Sequence, residues 1–369
     1  MARSSGKVER ESPKIVRQRR RLLDWYDRNR RDLPWRASRD PYAIWVSEIM
    51  LQQTRVAVVV ERYKEFLVRF PSLAALAAAP EQDVLALWSG LGYYRRARML
   101  HKAAQFVLDH CGGTMPTTAE ELQQLPGIGA YTAAAIASIA HGERVAVVDG
   151  NVERVLCRME GLEAGVRVGG AALKREIWNL AAQLVDPERP GDFNQALMEL
   201  GATVCVPRNP QCLVCPLVKD CTTRGEHKRP MRAPMLSREI AHALAVRAIR
   251  KPGSAGREVL LEQRPVTVSV MPGLWELPAL RETAVPEPEV RMTVRHAIMQ
   301  VNYYVRIRTV FEDDVDAMTV AGGERCWVPL SEAAGMALTG LARKVLTRAH
   351  LLPTVPFDAI ALQPEADVV

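Results

Sequence analysis

Four of the seven cysteines lie within 17 residues, at Cys205, Cys212, Cys215 and Cys221. Their spacing, Cys-x6-Cys-x2-Cys-x5-Cys, allows one short loop to surround a metal centre. Four thiolates satisfy either tetrahedral zinc or an iron–sulfur cluster, and the spacing alone leaves both open. A pair of disulfide bridges is disfavoured, because no apolar secretory segment precedes the loop and the remaining cysteines are scattered.

Two carboxylic acids, Glu48 and Asp149, occur in patterns that suit acid chemistry. Helical spacing places Glu48 with Ser47 and Gln52 on one polar face. That face is either solvated or part of a cleft, where apolar neighbours would raise the pKa of Glu48 into the range of a general acid. Asp149 is predicted to cap the helix that begins near Gly150, and helix N–H groups would keep it anionic beside a cationic intermediate.

A glycine-rich turn precedes an alanine-rich helix predicted over 133–140. It reads Leu-Pro-Gly-Ile-Gly-Ala-Tyr-Thr and contains Gly127 and Gly129. Glycines at a helix start let backbone N–H groups approach a phosphate, and the helix dipole favours that anion. The pattern is typical of a helix-hairpin-helix that clamps the DNA backbone, and an ordinary helix–helix turn is the alternative.

The elements that must position these residues fall into two halves. At 369 residues the chain is long enough for two or three domains. Residues 12–225 show helical periodicity throughout. From about residue 239 the pattern changes to short β-branched runs, with a final helix near 340–350. The predicted strands are 240–249, 258–263, 301–310 and 325–328. The polar segment 222–237 is the predicted linker.

The charge distribution indicates a polyanionic partner. The net charge is +7, and residues 1–39 carry 13 Lys/Arg against 5 Asp/Glu. Such a basic arm suits phosphate binding, although a solvated helix face would look the same. No run approaches 18 uninterrupted apolar residues, so we expect no membrane span. No targeting segment is evident, and we expect a bacterial cytoplasmic protein, associated with the nucleoid through DNA.

Taken together, these segments resemble the MutY-type adenine DNA glycosylases of the helix-hairpin-helix iron–sulfur superfamily. The resemblance implies a multidomain fold. An all-α catalytic region at 1–228, with a cluster loop at 205–221, would precede an α+β Nudix-like domain at 238–360. The motifs that carry it are Leu33-Pro34-Trp35-Arg36, Ser47-Glu48-Ile49-Met50-Leu51-Gln52-Gln53-Thr54, Gly90-Leu91-Gly92-Tyr93-Tyr94, Leu125-Pro126-Gly127-Ile128-Gly129, Asp149-Gly150-Asn151-Val152, Asn194-Gln195-Ala196-Leu197-Met198-Glu199-Leu200-Gly201-Ala202 and the four cysteines.

The resemblance also implies a role for each site residue. Enzymes of this family hydrolyse the N-glycosidic bond of adenine opposite 8-oxoguanine or guanine in double-stranded DNA, after flipping the adenine out of the helix. Glu48 would protonate the adenine and Asp149 would stabilise the oxocarbenium-like sugar. One [4Fe–4S] cluster would be ligated by Cys205, Cys212, Cys215 and Cys221. Tyr131 and Asn151 would position the sugar and Asp149, and Arg36 and Glu199 would bind the adenine. Gln53 and Tyr93 would wedge the duplex open, and Gly127 and Gly129 would contact the DNA backbone.

Three features within this pattern qualify the expected activity. In glycosylases of the endonuclease III type, the residue at the Tyr131 position is a lysine that forms a Schiff base. A tyrosine cannot form one, so a monofunctional glycosylase is expected. The protein is also expected to be a monomer. The C-terminal half has the Gly-Leu-Trp-Glu strand of Nudix enzymes without their glutamate-rich metal box. Its lesion-recognition loop reads His-Ala-Ile-Met299-Gln300 where the family has His-x-Phe-Ser-His. A thymine glycosylase acting opposite guanine and a non-catalytic iron–sulfur DNA-binding protein are the alternatives.

Overall fold

The computed structural model describes residues 12–162, 170–226, 235–249, 256–298 and 300–352. They form two compact units. The first comprises the described residues of Met1–Ala78 and Met99–Arg232, and the second those of Ala79–Arg98 and Ala233–Val369. Met299 and residues 227–234 of the predicted linker lie outside the described residues. Residues 79–98, which lie in the part of the sequence with helical periodicity, belong to the second unit.

The first unit is helical, as the 3.6-residue periodicity predicts. The helices of this part of the chain are α1 Pro13–Asn29, α2 Pro41–Leu51, α3 Val56–Arg69, α4 Leu73–Ala78, α5 Glu81–Leu87, α6 Arg95–His110, α7 Ala119–Leu122, α8 Ala130–His141, α9 Gly150–Glu160, α10 Gly170–Leu184 and α11 Pro190–Thr203. Of these, α5 and the first turn of α6 belong to the second unit. No helix in the described ranges is long and apolar enough to cross a membrane.

Capping residues set the starts of the two helices that carry the carboxylic acids. The side chain of Asp40 accepts hydrogen bonds from the backbone N–H groups of Tyr42 and Ala43, and Pro41 occupies the first turn of α2. Asp149 caps α9 in the same way, so the N-cap predicted from the sequence is confirmed.

A continuous apolar core joins α1, α9, α10 and α11. Leu22 and Tyr26 on α1 are 1% exposed, as are Phe193 and Leu197 on α11. Each fully buried side chain of this size contributes about 1.5–3 kcal/mol relative to its exposed state. This core supports α9 and α11, which carry Asp149 and Glu199.

The second unit contains two β-sheets. The strands are β1 Leu236–Leu244, β2 Val246–Ala248, β3 Arg257–Gln263, β4 Trp275–Glu276, β5 Ala279–Leu280, β6 Val290–Ile298, β7 Val301–Thr309, β8 Thr319–Val320 and β9 Arg325–Pro329. One sheet has the order β6-β7-β1-β5-β8, and in the other β3 pairs with β2, β4 and β9. All pairs are antiparallel except β1 with β7, where Leu236 lies opposite Val301.

Helices complete the second unit. They are α12 Val315–Met318, α13 Leu330–Ala333 and α14 Gly340–Arg348. Thr339 caps α14 by accepting a hydrogen bond from the backbone N–H of Ala342. The buried face of α14, including Leu341 and Val345, packs with β-strand residues such as Val294 and Val305 in one apolar core.

The structure differs from the sequence prediction at the lesion-recognition loop. The residues from His296 to Ile298 belong to β6, which pairs with β7 up to Ile298 opposite Val301. The predicted recognition segment 296–300 therefore includes the last three residues of β6 and the turn residue Gln300. The alternation of apolar and polar residues along 290–298 has the period of a half-buried strand, which explains why this segment is extended.

Candidate functional site

Glu48 is a buried carboxylic acid on the inner side of α2. It is 5% exposed, and its Oε2 accepts a hydrogen bond of 2.7 Å from the Tyr131 hydroxyl. Burial raises the pKa of Glu48 to about 7; the Tyr131 hydrogen bond lowers it, the charge of Asp149 raises it and Arg36 lowers it. Glu48 can therefore hold a proton at neutral pH, which is the property of a general acid.

Asp149 is fixed at the start of α9 by three donors. Its Oδ1 accepts from the backbone N–H groups of Asn151 at 2.9 Å and Val152 at 2.7 Å. Its Oδ2 accepts from the Asn151 side-chain amide at 2.8 Å. Burial is the largest cause of the raised pKa values of Glu48 and Tyr131, and the negative charge of Asp149 raises both further.

The buried carboxylate of Glu199 on α11 pairs with two arginines. Arg31 contacts both carboxylate oxygens at 2.8 Å, and Arg36 donates to Oε2 at 2.9 Å. Burial alone would raise the pKa of Glu199, but hydrogen bonds from Arg31 and Arg36 outweigh it and bring the pKa to about 2. The cluster is a fixed, ionised set of hydrogen-bonding groups.

The predicted hairpin turn lies between α7 and α8. Gly127 has φ +78°, and a Cβ atom there would lie 2.6 Å from the Met99 Cβ. Gly129 caps α8, and a Cβ atom there would have no neighbour within 4 Å. Gly127 is thus required for the turn itself, whereas Gly129 leaves the start of α8 open to a ligand.

The four predicted metal-ligating cysteines line one cavity. Apolar side chains, including Leu200 and Leu217, form much of its wall. All four thiols are free of disulfide bonds. Burial raises the pKa of Cys215 to about 11, and the neighbouring cysteines add to this rise. Four thiolates would therefore repel one another here unless a cationic centre stood between them.

Within the described ranges, no three His, Cys, Asp or Glu side chains converge closely enough to hold one metal ion. Zinc bound to four thiolates at about 2.3 Å would require the sulfur atoms to lie about 3.8 Å apart.

Two arginines of α9 bind the backbone of the cysteine loop. Arg158 donates to the carbonyl oxygens of Val206 at 2.8 Å and Pro207 at 3.0 Å, and lies 3.3 Å from the Cys205 sulfur. Arg154 donates to the Cys205 carbonyl oxygen at 2.9 Å and to Asn151 Oδ1 at 2.8 Å. One side chain thus joins the Asp149 cap to the cysteine loop.

The first helix also holds this loop, through Asp220. Arg17 donates to Asp220 Oδ1 and Arg21 to Oδ2, each at 3.0 Å. The Asp220 side chain is only 9% exposed and directly precedes Cys221. Because the two arginines are one helical turn apart, they clamp both carboxylate oxygens from one face of α1.

Three further predicted residues lie on the surface. Gln53 follows α2 and Tyr93 precedes α6, each with a positive φ, of 56° and 49°. Gln300 is exposed in the turn between β6 and β7, and its carbonyl oxygen accepts from the Leu236 N–H at 3.0 Å. Such exposed side chains on tight turns can reach a macromolecular ligand without rearrangement of the fold.

Sequence reasoning missed Arg31, Arg154 and Arg158. Each makes its essential contacts with residues at least 47 positions away, apart from the Arg154–Asn151 pair on α9. The three-residue spacing of Arg154 and Asn151 on one helix face was a usable signal. For Arg31 and Arg158 the local sequence contains no comparable signal.

Comparisons of the sequence place this chain among DNA repair proteins. Residues 46–180 match the family model of the HhH-GPD superfamily base excision DNA repair proteins. The chain is 37% identical over 398 residues to the mouse (Mus musculus) adenine DNA glycosylase, covering 89% of this chain and 76% of that protein. It is 41% identical over 331 residues to the human (Homo sapiens) adenine DNA glycosylase, covering 75% of this chain and 60% of that protein's length.

A comparison of structures points to the same helical fold. A thermostable thymine-DNA glycosylase of known structure superposes with a TM-score of 0.51 and 31% sequence identity. The match covers 57% of this chain and 96% of that chain. It therefore extends over about the length of the first unit.

Proposed function

Because this chain belongs to the family of adenine DNA glycosylases, we propose that it hydrolyses the N-glycosidic bond of adenine mispaired with 8-oxoguanine or guanine in double-stranded DNA. The observation that carries the proposal is the buried Glu48, whose pKa of about 7 permits proton donation at neutral pH, beside the anionic cap Asp149. This pair supplies what adenine release requires: an acid for the leaving base and a fixed negative charge for the sugar cation.

In the proposed reaction Glu48 donates its proton to the flipped adenine, so that the base leaves as a neutral molecule. The bond from the sugar to the base breaks, and the sugar gains oxocarbenium character. Asp149 offsets this positive charge, while Asn151 holds the Asp149 carboxylate in place. Water then adds to the sugar and gives up a proton that returns to the Glu48 carboxylate, which leaves an abasic site and restores the acid. Tyr131 keeps the Glu48 carboxyl oriented through its 2.7 Å hydrogen bond.

The arginine–glutamate cluster suits the edge of an adenine. Arg36 and Glu199 would bind the base, with Arg31 fixing the Glu199 carboxylate through its two contacts of 2.8 Å. Because these groups are already ordered, adenine binding would cost little additional side-chain entropy. Gly127 and Gly129 would contact the DNA backbone, while Gln53 and Tyr93 would fill the opened duplex.

A single-turnover assay on three duplexes tests the proposed function. We expect adenine release opposite 8-oxoguanine and opposite guanine, and no thymine release opposite guanine. Borohydride should trap no covalent adduct, because the Tyr131 phenol cannot form an imine with the sugar aldehyde. Release of thymine alone would indicate the thymine-specific reaction, and failure to release either base would indicate a DNA-binding protein without this activity.

The cysteine loop fits an iron–sulfur cluster. We propose that Cys205, Cys212, Cys215 and Cys221 ligate one [4Fe–4S] cluster, because these four free thiols line one cavity with apolar walls and four thiolates are the ligand set of such a cluster. The cluster would supply structural cross-linking of the loop. Arg158 would donate to the Cys205 sulfur, and Arg154 would tie the loop to the Asp149 cap.

Metal analysis tests this proposal. Anaerobically purified protein should contain about four irons per chain and absorb broadly in the visible blue region. Cys212→Ser should lose iron and thermal stability. The matched substitution Cys111→Ser, at a half-buried cysteine outside the loop, should retain both. One zinc and no iron in the native protein would contradict the cluster.

We propose that the 238–360 region recognises 8-oxoguanine on the opposite strand. Gln300 is the exposed side chain in its β6–β7 turn that can both donate and accept hydrogen bonds with a purine edge. Met299, by contrast, cannot donate a hydrogen bond as the family's serine does. We therefore propose a preference for 8-oxoguanine over guanine that is weaker than in relatives with the Phe-Ser-His loop.

Substitutions in this turn separate base reading from backbone contact. If Gln300 reads the base, Gln300→Ala should weaken binding to the 8-oxoguanine duplex by about 1–3 kcal/mol and leave the guanine duplex unchanged. Equal weakening of both duplexes would instead assign Gln300 to a phosphate. Met299→Ser with Gln300→His should sharpen discrimination between the duplexes, and no gain would show that this turn does not set it.

A further inference from the structure

The turn Trp88–Tyr94, here called the wedge turn, holds a tyrosine in a strained and exposed conformation. Tyr93 is 53% exposed and has φ +49°, and its neighbours Gly90 and Gly92 have φ +98° and +70°. A non-glycine residue with positive φ costs free energy, so the surrounding structure must hold it there. What fixes the wedge turn therefore determines where Tyr93 points.

Part of the support comes from within the turn. The Trp88 indole N–H donates to the Gly92 carbonyl oxygen at 3.1 Å. Arg96 donates to the carbonyl oxygens of Leu91 and Gly92, both at 3.1 Å, and its guanidinium lies 5.6 Å from the centre of the Tyr93 ring. These bonds close the turn on itself and leave its base to be anchored elsewhere.

The base of the turn is anchored to the C-terminal part of the second unit. The buried Tyr94 hydroxyl donates to the Leu338 carbonyl oxygen at 2.8 Å. Ser89 is 1% exposed, and its hydroxyl accepts from Arg343 Nε at 2.7 Å. Just after the turn, Arg98 donates to the Pro272 carbonyl oxygen at 2.6 Å. These partners all lie within the segment 272–343.

That anchor is itself part of the strand structure. The Trp275 N–H donates to the Ala337 carbonyl oxygen at 3.0 Å, and the Thr339 N–H donates to the Trp275 carbonyl oxygen at 2.8 Å. Leu338, between these two bonds, is fully buried. The carbonyl oxygen that receives the Tyr94 hydroxyl is thus held on both sides by β4.

We propose that the C-terminal β-rich region is the scaffold that positions Tyr93 for entry into the DNA duplex, with Ser89, Tyr94 and Arg343 as the positioning residues. This inference rests on the proposed function, in which Tyr93 wedges the duplex beside the orphan base. Insertion of Tyr93 into the duplex would then depend on the region that is proposed to recognise the base on the opposite strand. A displacement of Leu338 and Arg343 is transmitted through three side chains to the base of the wedge turn.

Fluorescence of 2-aminopurine placed next to 8-oxoguanine, in a duplex with adenine opposite, reports the opening step. The measurement uses full-length Glu48→Gln protein, so that base opening is observed without adenine release. Ser89→Ala with Tyr94→Phe removes two anchoring hydroxyls and leaves Tyr93 in place. We expect the fluorescence rise to slow about 10-fold, because each lost hydrogen bond contributes a few-fold to positioning.

Two further variants give the lower and upper limits of the fluorescence rise. Tyr93→Ala should abolish the rise, since it removes the wedge. Tyr42→Phe is the matched control, because the Tyr42 hydroxyl makes the same kind of buried bond, to the Phe70 carbonyl oxygen at 2.8 Å, in the first unit. It should leave the rise unchanged. If the double variant melts well below this control, Tyr94→Phe alone is used, with a slowing of about 3-fold expected.

The outcomes separate this inference from the proposed function. A double variant that opens the duplex within twofold of the parent, while Tyr93→Ala fails, would overturn the scaffold role alone. A full rise with Tyr93→Ala would overturn the wedge and the scaffold together. Neither result touches adenine release, which is measured separately on protein with native Glu48.

Discussion

Glu48→Gln is expected to reduce single-turnover adenine release by about 100- to 10,000-fold while DNA binding survives. Glutamine keeps the shape of the side chain and can still accept from the Tyr131 hydroxyl, but it has no acidic proton to donate. The loss therefore falls on the transition state rather than on the bound ground state. Rates come from quenched reactions with excess enzyme, and affinity from duplex binding by the same preparation.

The pH profile adds a second test of Glu48. The acid form is present below its pKa of about 7, so the native rate should fall as pH rises through that value. Tyr131→Phe removes the hydrogen bond that lowers the pKa of Glu48, so the fall should move to higher pH. Glu65→Gln on α3 is the control and should keep the native profile. Near-native rates in Glu48→Gln would exclude Glu48 as the acid.

Asp149→Asn is expected to impair adenine release nearly as severely. An amide cannot offset the positive charge that develops on the sugar, although it can still accept hydrogen bonds from the start of α9. Because Asn and Asp are comparable N-caps, the helix should persist and the thermal midpoint should change little. We expect a rate loss of about 100-fold or more, measured as for Glu48→Gln.

Asp40→Asn provides a closely matched control. Asp40 is also an N-cap, and it accepts from two backbone N–H groups at 3.1 and 3.3 Å at the start of α2. The same substitution there should leave adenine release within a few-fold of native. Equal losses at both positions would show that the defect is loss of a cap, and native activity in Asp149→Asn would rule out its electrostatic role.

The sequence predicted the helical half and the Asp149 cap because both depend on local rules. Periodicity and capping act over a few residues, so α9 begins at Gly150 as expected. The periodicity of α2 does not decide whether Glu48 is buried, because its polar neighbours are equally typical of a solvated face. The stronger signal was that α2 is apolar on nearly every side, and such a helix is buried whatever polar residues it includes.

The remaining features depend on contacts that no local pattern encodes. Arg31 meets Glu199 across 168 positions, and the Tyr131 hydroxyl meets Glu48 across 83. The allocation of 79–98 to the second unit likewise follows from distant partners such as Leu338. The missed strand β6 is different, because its alternation along 290–298 was visible in the sequence.

The pairing of Asp220 with Arg17 and Arg21 has a consequence for how the chain matures. These partners are 203 and 199 positions apart, so the ribosome must deliver nearly the whole first unit before the pair can form. Contacts of such long sequence separation are made late in folding. Until then the loop around Cys221 lacks its brace from α1. The interval after synthesis of residue 221 and before α1 docks is therefore the period in which we expect the four thiols to be most accessible to oxidation and to assembly of the proposed cluster.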